Sequence, residues 1–218
     1  VNLQTEPYLE QVKLWPSAGR HILAQFDETS VVVYQAYNSA IGHFAANNGF
    51  FGGEFGFGRM SWIKPNFLWM MFRSGWGTKE NQEVTLAVRL KREAFDSILS
   101  RAVASTFGGV PGVFSIEAAW KAAVAKSDVR LQWDPDHHPA GNPVERRAIQ
   151  LGLRGETLRQ YGREWLLGIE DVSDFVREQR AHVEARAYDR LVTPREREYP
   201  VRDPSTRMRI GTGMSSSE

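Results

Sequence analysis

Cysteine is absent from the 218-residue sequence. That excludes disulfides, thiolate zinc sites and cysteine nucleophiles together, and it suits a reducing cytoplasmic setting. Net charge is almost absent as well: 27 Lys and Arg against 26 Asp and Glu leave +1 at neutral pH. Such balance exerts no whole-molecule pull on nucleic acid, so a nucleic-acid partner would need a local basic groove. No apolar run nears the roughly 20 residues that cross a bilayer, so no membrane partner is expected. The opening stretch, VNLQTEPYLEQVKLW, carries acids early and lacks the apolar core of a secretory signal. Also missing are the GxxxxGK[ST] phosphate loop, the GxSxG elbow and the HExxH zinc frame.

What is present is ordinary in bulk and unusual in one place. Hydrophobic residues make up 42% and charged residues 24%, as in a globular protein, and the length suits one large domain. Of the 7 Trp and 12 Phe, many fall within residues 44–76.

Periodicity divides the chain into an N-terminal arm (1–20), a single domain (21–187) and an extended or disordered tail (188–218). HILAQFD and VVVYQAY flank a polar turn and read as a hairpin. Asn38 or Ser39 caps a helix that Gly49 ends, and the aromatic glycine loop FFGGEFGFG follows. RMSWI reads as a strand, Pro65 opens a helix, and EVTLAVRL alternates as a strand. REAFDSILSRAV and IEAAWKAAVAK read as helices, DVRLQWD and RRAIQLGL as strands, and PDHHPAGNP as a loop. A helix over 156–163, a strand WLLGIE and a helix from Asp171 or Ser173 complete the domain. The class predicted is α+β, with a mixed or antiparallel sheet of about six strands and flanking helices.

The densest candidate segment is RMSWIKPNFLWMMFRSGWG. It interleaves Arg59, Lys64 and Arg73 with Trp62, Trp69 and Trp76. Rings that stack and cations that bind phosphate together suit a nucleotide. The plain alternative is a tryptophan core from which the cations snorkel. Gln35 and Tyr37 share a face of an apolar strand, where a buried amide must find partners. Glu145 and Gln150 lie on opposite faces of a later strand and could shape a polar cleft; Glu83 is a comparable carboxylate. DPDHHP offers Asp134, Asp136, His137 and His138, but without a metal-ligand spacing, and no metal is expected.

VYQAYN, RMSWIKPNFLWMMFRSGWG, QWDP and RAIQLGL, in that order, resemble the family called domain of unknown function 4291, over roughly residues 8–190. The name implies no chemistry. A fainter likeness, at the level of the fold, is to ADP-ribosyltransferases, which have a split mixed sheet around an NAD cleft. That likeness implies Gln35 in the place of their Arg or His, and Ser61 or Trp62 in the place of their Ser or Tyr. It implies Glu145 as the acid, with Glu83 or Gln150 as substitutes. The function so implied is an NAD-using transfer of ADP-ribose to a nucleic-acid, nucleotide or protein acceptor. Gln35, Glu145 and Gln150 would serve catalysis, and Tyr37, Arg59, Ser61, Trp62, Lys64, Trp69 and Arg73 would hold NAD. The alternative is a non-catalytic nucleotide- or RNA-binding module.

Overall fold

The computed structural model describes residues 3–213. A short strand, β1 (Thr5–Pro7), and one helical turn, α1 (Tyr8–Gln11), come first. Two brief strands, β2 (Gly19–Arg20) and β3 (Leu23–Ala24), lead into β4 (Ser30–Tyr37). Next come α2 (Ser39–Asn48), β5 (Ser61–Ile63), α3 (Phe67–Ser74), β6 (Val84–Lys91), α4 (Arg92–Arg101), β7 (Ala102–Ala104) and α5 (Glu117–Lys126). Then follow β8 (Val129–His137), β9 (Pro143–Leu153), α6 (Gly155–Arg163), β10 (Leu166–Asp171) and α7 (Ser173–Glu184). Last come β11 (Val192–Pro194), β12 (Arg197–Glu198) and α8 (Pro204–Ile210).

Two sheets organise the chain. One has three antiparallel strands in the order β10-β6-β4. The other has five: β2-β9-β8-β7, with β5 also paired to β9. It is mixed, because β2 and β7 run parallel to their neighbours while β5, β8 and β9 are antiparallel. A lone bridge between Tyr34 and Lys64 connects β4 to the end of β5 and so joins the sheets. The class is α+β, and two main sheets with two small ribbons replace the single sheet of about six strands.

β4 reads SVVVYQAY, almost continuously apolar, because both of its faces are covered. Val31, Val33 and Tyr37 enter the larger core with Leu86, Val88, Leu131, Ile149 and Leu151. Val32 and Tyr34 enter a second core with Phe67, Met71, Trp76 and Val176. α3 forms because Asn66 Oδ1 accepts from Trp69 N at 2.7 Å and stops at Gly75, whose φ is 58°. Trp76 continues the left-handed turn at φ 55°, unusual for a residue with a Cβ.

Several expectations change. The turn at Asp27–Ser30 forms, with Phe26 bridged to Val31, but Leu23–Ala24 pairs with β12 instead of extending a hairpin. Ala102–Ala104 is a strand rather than a helix end, and β8 runs on through Pro135 to His137. The expected tail is the largest correction. β11 pairs with β1, β12 pairs with β3, and Leu191, Glu196, Tyr199, Val201 and Ile210 are buried. Each buries one side chain within a polar stretch, so no periodic stripe announces them. The serines at 215–217 lie outside the described residues. The N-terminal arm is held by the same segment: Gln11 donates to Thr193 Oγ1 at 2.8 Å and accepts from Glu196 N at 2.8 Å.

Candidate functional site

The residues singled out in the sequence separate onto the two faces of the joined sheets. Ser61 and Ile63 point into the larger core, where the amide of Gln35, 2% exposed, organises a buried polar cluster. Gln35 Nε2 donates to Tyr37 Oη at 2.7 Å and to Ser61 Oγ at 2.9 Å, and Gln35 Oε1 accepts from Tyr161 Oη at 2.6 Å. Tyr37 and Ser61 share a further bond of 2.7 Å. Burial pushes both phenols well above the ordinary tyrosine range. The glycine loop seals this cluster: Phe51 packs on Tyr37, Phe55 and Tyr161, and Phe55 packs on Tyr37. Gln35, Tyr37 and Ser61 therefore hold the β4–β5 junction together and do not line an open cleft.

The other face carries the charged group. Trp62 pairs with Gly152, and Gln132 pairs with Gln150. Strand alternation then places Trp62, Lys64, Gln132, Asp134 and Gln150 on one side. A methyl at Gly152 would meet Met60 Sδ at 2.6 Å and the Trp62 indole at 3.0 Å, so glycine lets that ring lie flat on β9. α3 crosses beside this strip and supplies Arg73, exposed, from its last turn.

Lys64 is 6% exposed. Among the described residues its ammonium has neither a hydrogen bond nor an ion pair. Burial, and then the positive charge of Arg73, lower its pKa to about 8, against a smaller upward pull from Asp134. Asp134 answers from β8. Burial raises its pKa, opposed by hydrogen bonds from Gln150 and Gln132 and by the charges of Lys64 and Arg73. Those bonds measure 2.8 Å from Gln150 Nε2 to Oδ2 and 3.1 Å from Gln132 Nε2 to Oδ1. A carboxylate fixed by two neutral amides thus sits beside two cations. The group can bind an anion and pass a proton.

Trp69 is buried and offers no open face. It stacks on His137 at 5.3 Å, and His137 stacks on Phe72 at 3.5 Å. Phe72, which the sequence did not single out, carries the exposed ring of this stack. Glu145 is exposed near the start of β9, on the opposite face from Gln150, so it does not join Lys64. Glu83 is also exposed. Arg59 is exposed beside the glycine loop, against Gly56. Of the residues singled out in the sequence, Trp62, Lys64 and Gln150 share this face, and Arg73 lies near Lys64. Asp134 and Gln132 were missed as members. Their signal was the alternation of LQWD, which sets Gln132 and Asp134 opposite the apolar Leu131 and Trp133.

Two other acids, Asp136 and Glu196, are buried. Asp136 pairs with Arg146 at 2.6 Å, both side chains inside. Glu196, 1% exposed, accepts from Phe67 N at 2.6 Å and from Asn66 Nδ2 at 3.1 Å, anchoring the start of α3. Burial raises its pKa well above the carboxylate range. No group of three or more acids and histidines is arranged to hold a metal among the described residues, and no described helix is long and apolar enough to cross a membrane.

No curated protein matches the chain. A family model described as a domain of unknown function (DUF4291) matches residues 21–199, which takes in the three-stranded sheet, the larger sheet apart from β2, and Glu196. The chain belongs to that family.

Proposed function

We propose that the chain binds NAD on the Lys64 face and transfers its ADP-ribosyl group, with Asp134 in the role that the ADP-ribosyltransferase likeness implied for Glu145. One observation carries this reading: a nearly buried ammonium, without any acceptor of its own, faces Arg73 and Asp134. An unpaired buried charge is costly and is kept where a ligand completes it. A pyrophosphate does so, with Lys64 and Arg73 as its cationic contacts. Trp62 offers a flat ring for a base.

The chemistry assigned to the chain is modest. Cleaving the nicotinamide–ribose bond develops positive charge on the ribose, and nicotinamide leaves as a neutral amide. The Asp134 carboxylate, pre-oriented by Gln132 and Gln150, stabilises that charge. As the acceptor's nucleophile attaches to the ribose carbon, its proton passes to Asp134. Gln150 thus keeps a place at the site, as a positioning residue. The acceptor class is a nucleobase, a nucleic-acid end or a protein side chain.

The second reading, a non-catalytic nucleotide- or RNA-binding module in a cytoplasmic setting, is favoured by exposed Phe72 next to exposed Arg73. A ring beside a cation suits single-stranded nucleic acid. Incubation with NAD labelled in the adenosine half separates the two. Transfer of label by the wild-type chain, lost in Asp134→Asn with NAD binding retained, supports the transferase. Binding of a short RNA with no label transfer supports the module and overturns the first reading.

A further inference from the structure

A cavity of about 200 Å³ lies between the N-terminal arm and the ends of β8 and β9, away from the Lys64 group. Its walls include Tyr8, Val12 and Trp15 from the arm, and His137, His138 and Arg146 from the strands. By water's share of liquid volume it has room for roughly six waters. The walls are ring faces and edges: Tyr8 meets Trp15 at 6.3 Å and His138 at 5.9 Å, and the Arg146 guanidinium lies 5.3 Å from the Trp15 ring centre.

Its polar groups are donors in want of acceptors. Tyr8 is 5% exposed, yet among the described residues its Oη has no hydrogen-bond partner. His138 Nδ1 accepts from Ala140 N at 3.2 Å, so the neutral ring carries its hydrogen on Nε2. Burial lowers the His138 pKa and keeps the ring neutral at pH 7. Arg146 donates through Nε and Nη2 to Asp136 and through Nη1 to Pro16 O, at 2.6 to 2.9 Å, which leaves N–H hydrogens uncommitted. The Arg146 charge is already balanced by Asp136. A ligand here meets donors without net charge, between flat walls.

We propose that this cavity is a second binding site, for a small neutral planar carbonyl compound of the aromatic carboxamide class. The carbonyl oxygen accepts from Tyr8 Oη and the neighbouring donors, and the ring lies among Trp15 and His138. The site is independent of the proposed NAD face, since Lys64, Arg73 and Asp134 do not line it.

Isothermal titration of the full chain with benzamide and with benzoate tests this. The expected result is one benzamide per chain, benzoate binding more weakly, and about tenfold weaker benzamide binding in Tyr8→Phe, as for one lost hydrogen bond. Tyr8→Phe breaks no hydrogen bond within the described residues, so an unchanged melting temperature certifies its fold. Lys64→Met keeps the wild-type benzamide affinity, which separates this site from the NAD face. No saturable benzamide heat, equal affinity in Tyr8→Phe, benzoate binding as tightly as benzamide, or loss in Lys64→Met would each overturn the proposal.

Discussion

Tyr34 and Lys64 exchange both backbone hydrogen bonds, Tyr34 N to Lys64 O at 2.7 Å and Lys64 N to Tyr34 O at 3.2 Å. That bridge fastens two sheets together and fixes where the Lys64 side chain starts. Tyr34 packs into the core beneath α3, while the Lys64 ammonium reaches the strip between β5, β8 and α3. A nearly buried ammonium without a partner of its own is therefore carried by a residue whose backbone is held by two hydrogen bonds between the sheets. This is how a scaffold presents a binding group without letting it collapse onto a partner.

Lys64→Met should stabilise the protein at pH 7 by about 2 kcal/mol, because an unpaired buried charge gives way to an apolar chain of similar length. In the wild type the folded pKa is about 8 against 10.5 for an ordinary lysine. Between those values the unfolded chain holds the additional proton, so stability rises with pH across that window. The variant should lose that rise. Urea denaturation from pH 7 to pH 10.5 measures both effects.

Anion binding should follow the same group with the opposite sign. Lys64 is protonated below about 8, so affinity for pyrophosphate should hold from pH 6 to 7 and fall as pH rises through that value. Titration of inorganic pyrophosphate at several pH values at constant ionic strength checks it. A flat profile across that range would remove Lys64 from the site.

Glu196→Ala should cost roughly 2–4 kcal/mol, since it strips two hydrogen bonds from the start of α3 and leaves a buried gap. Glu196→Gln, which keeps an acceptor for Phe67 N, should cost far less. A chain ending at residue 190 loses β11, Glu196 and Tyr199 together and should not fold. Thermal melts of the three variants rank them.

Gln35→Leu should destabilise by roughly 2–4 kcal/mol, because Tyr161 Oη loses its acceptor in a fully buried place. In whatever fraction folds, NAD affinity should match the wild type, since Gln35 faces the sealed side. A selective loss of NAD binding with an unchanged melting temperature would return Gln35 to the site.

Legibility in the sequence followed the length of the pattern. β6 alternates along its length, β9 sets Ile149, Leu151 and Leu153 two apart, and α4 repeats its apolar stripe, so their type could be read directly. The Lys64, Arg73 and Trp62 convergence was readable because one strand–helix unit carries all three. Membership from a distant strand was not. Asp134 closes a segment that reads as a strand, but only the β8–β9 register brings it beside Gln150. The faces of Gln35, Tyr37 and Ser61 were legible, but not whether they lined a cleft or a core, because a buried amide reads the same whether its partners are a ligand or three neighbouring side chains. The stretch from β11 to α8 was hidden by its composition, since Glu196 is buried by contacts made more than a hundred residues away.

The most direct measurement is a calorimetric titration of NAD into wild-type protein and into Lys64→Met at pH 6.5. The account predicts saturable one-to-one binding to the wild type and at least about a tenfold loss in the variant, one charge-assisted contact being worth 1.5–3 kcal/mol or so. Equal affinity in the two proteins, or no binding to either, would contradict it.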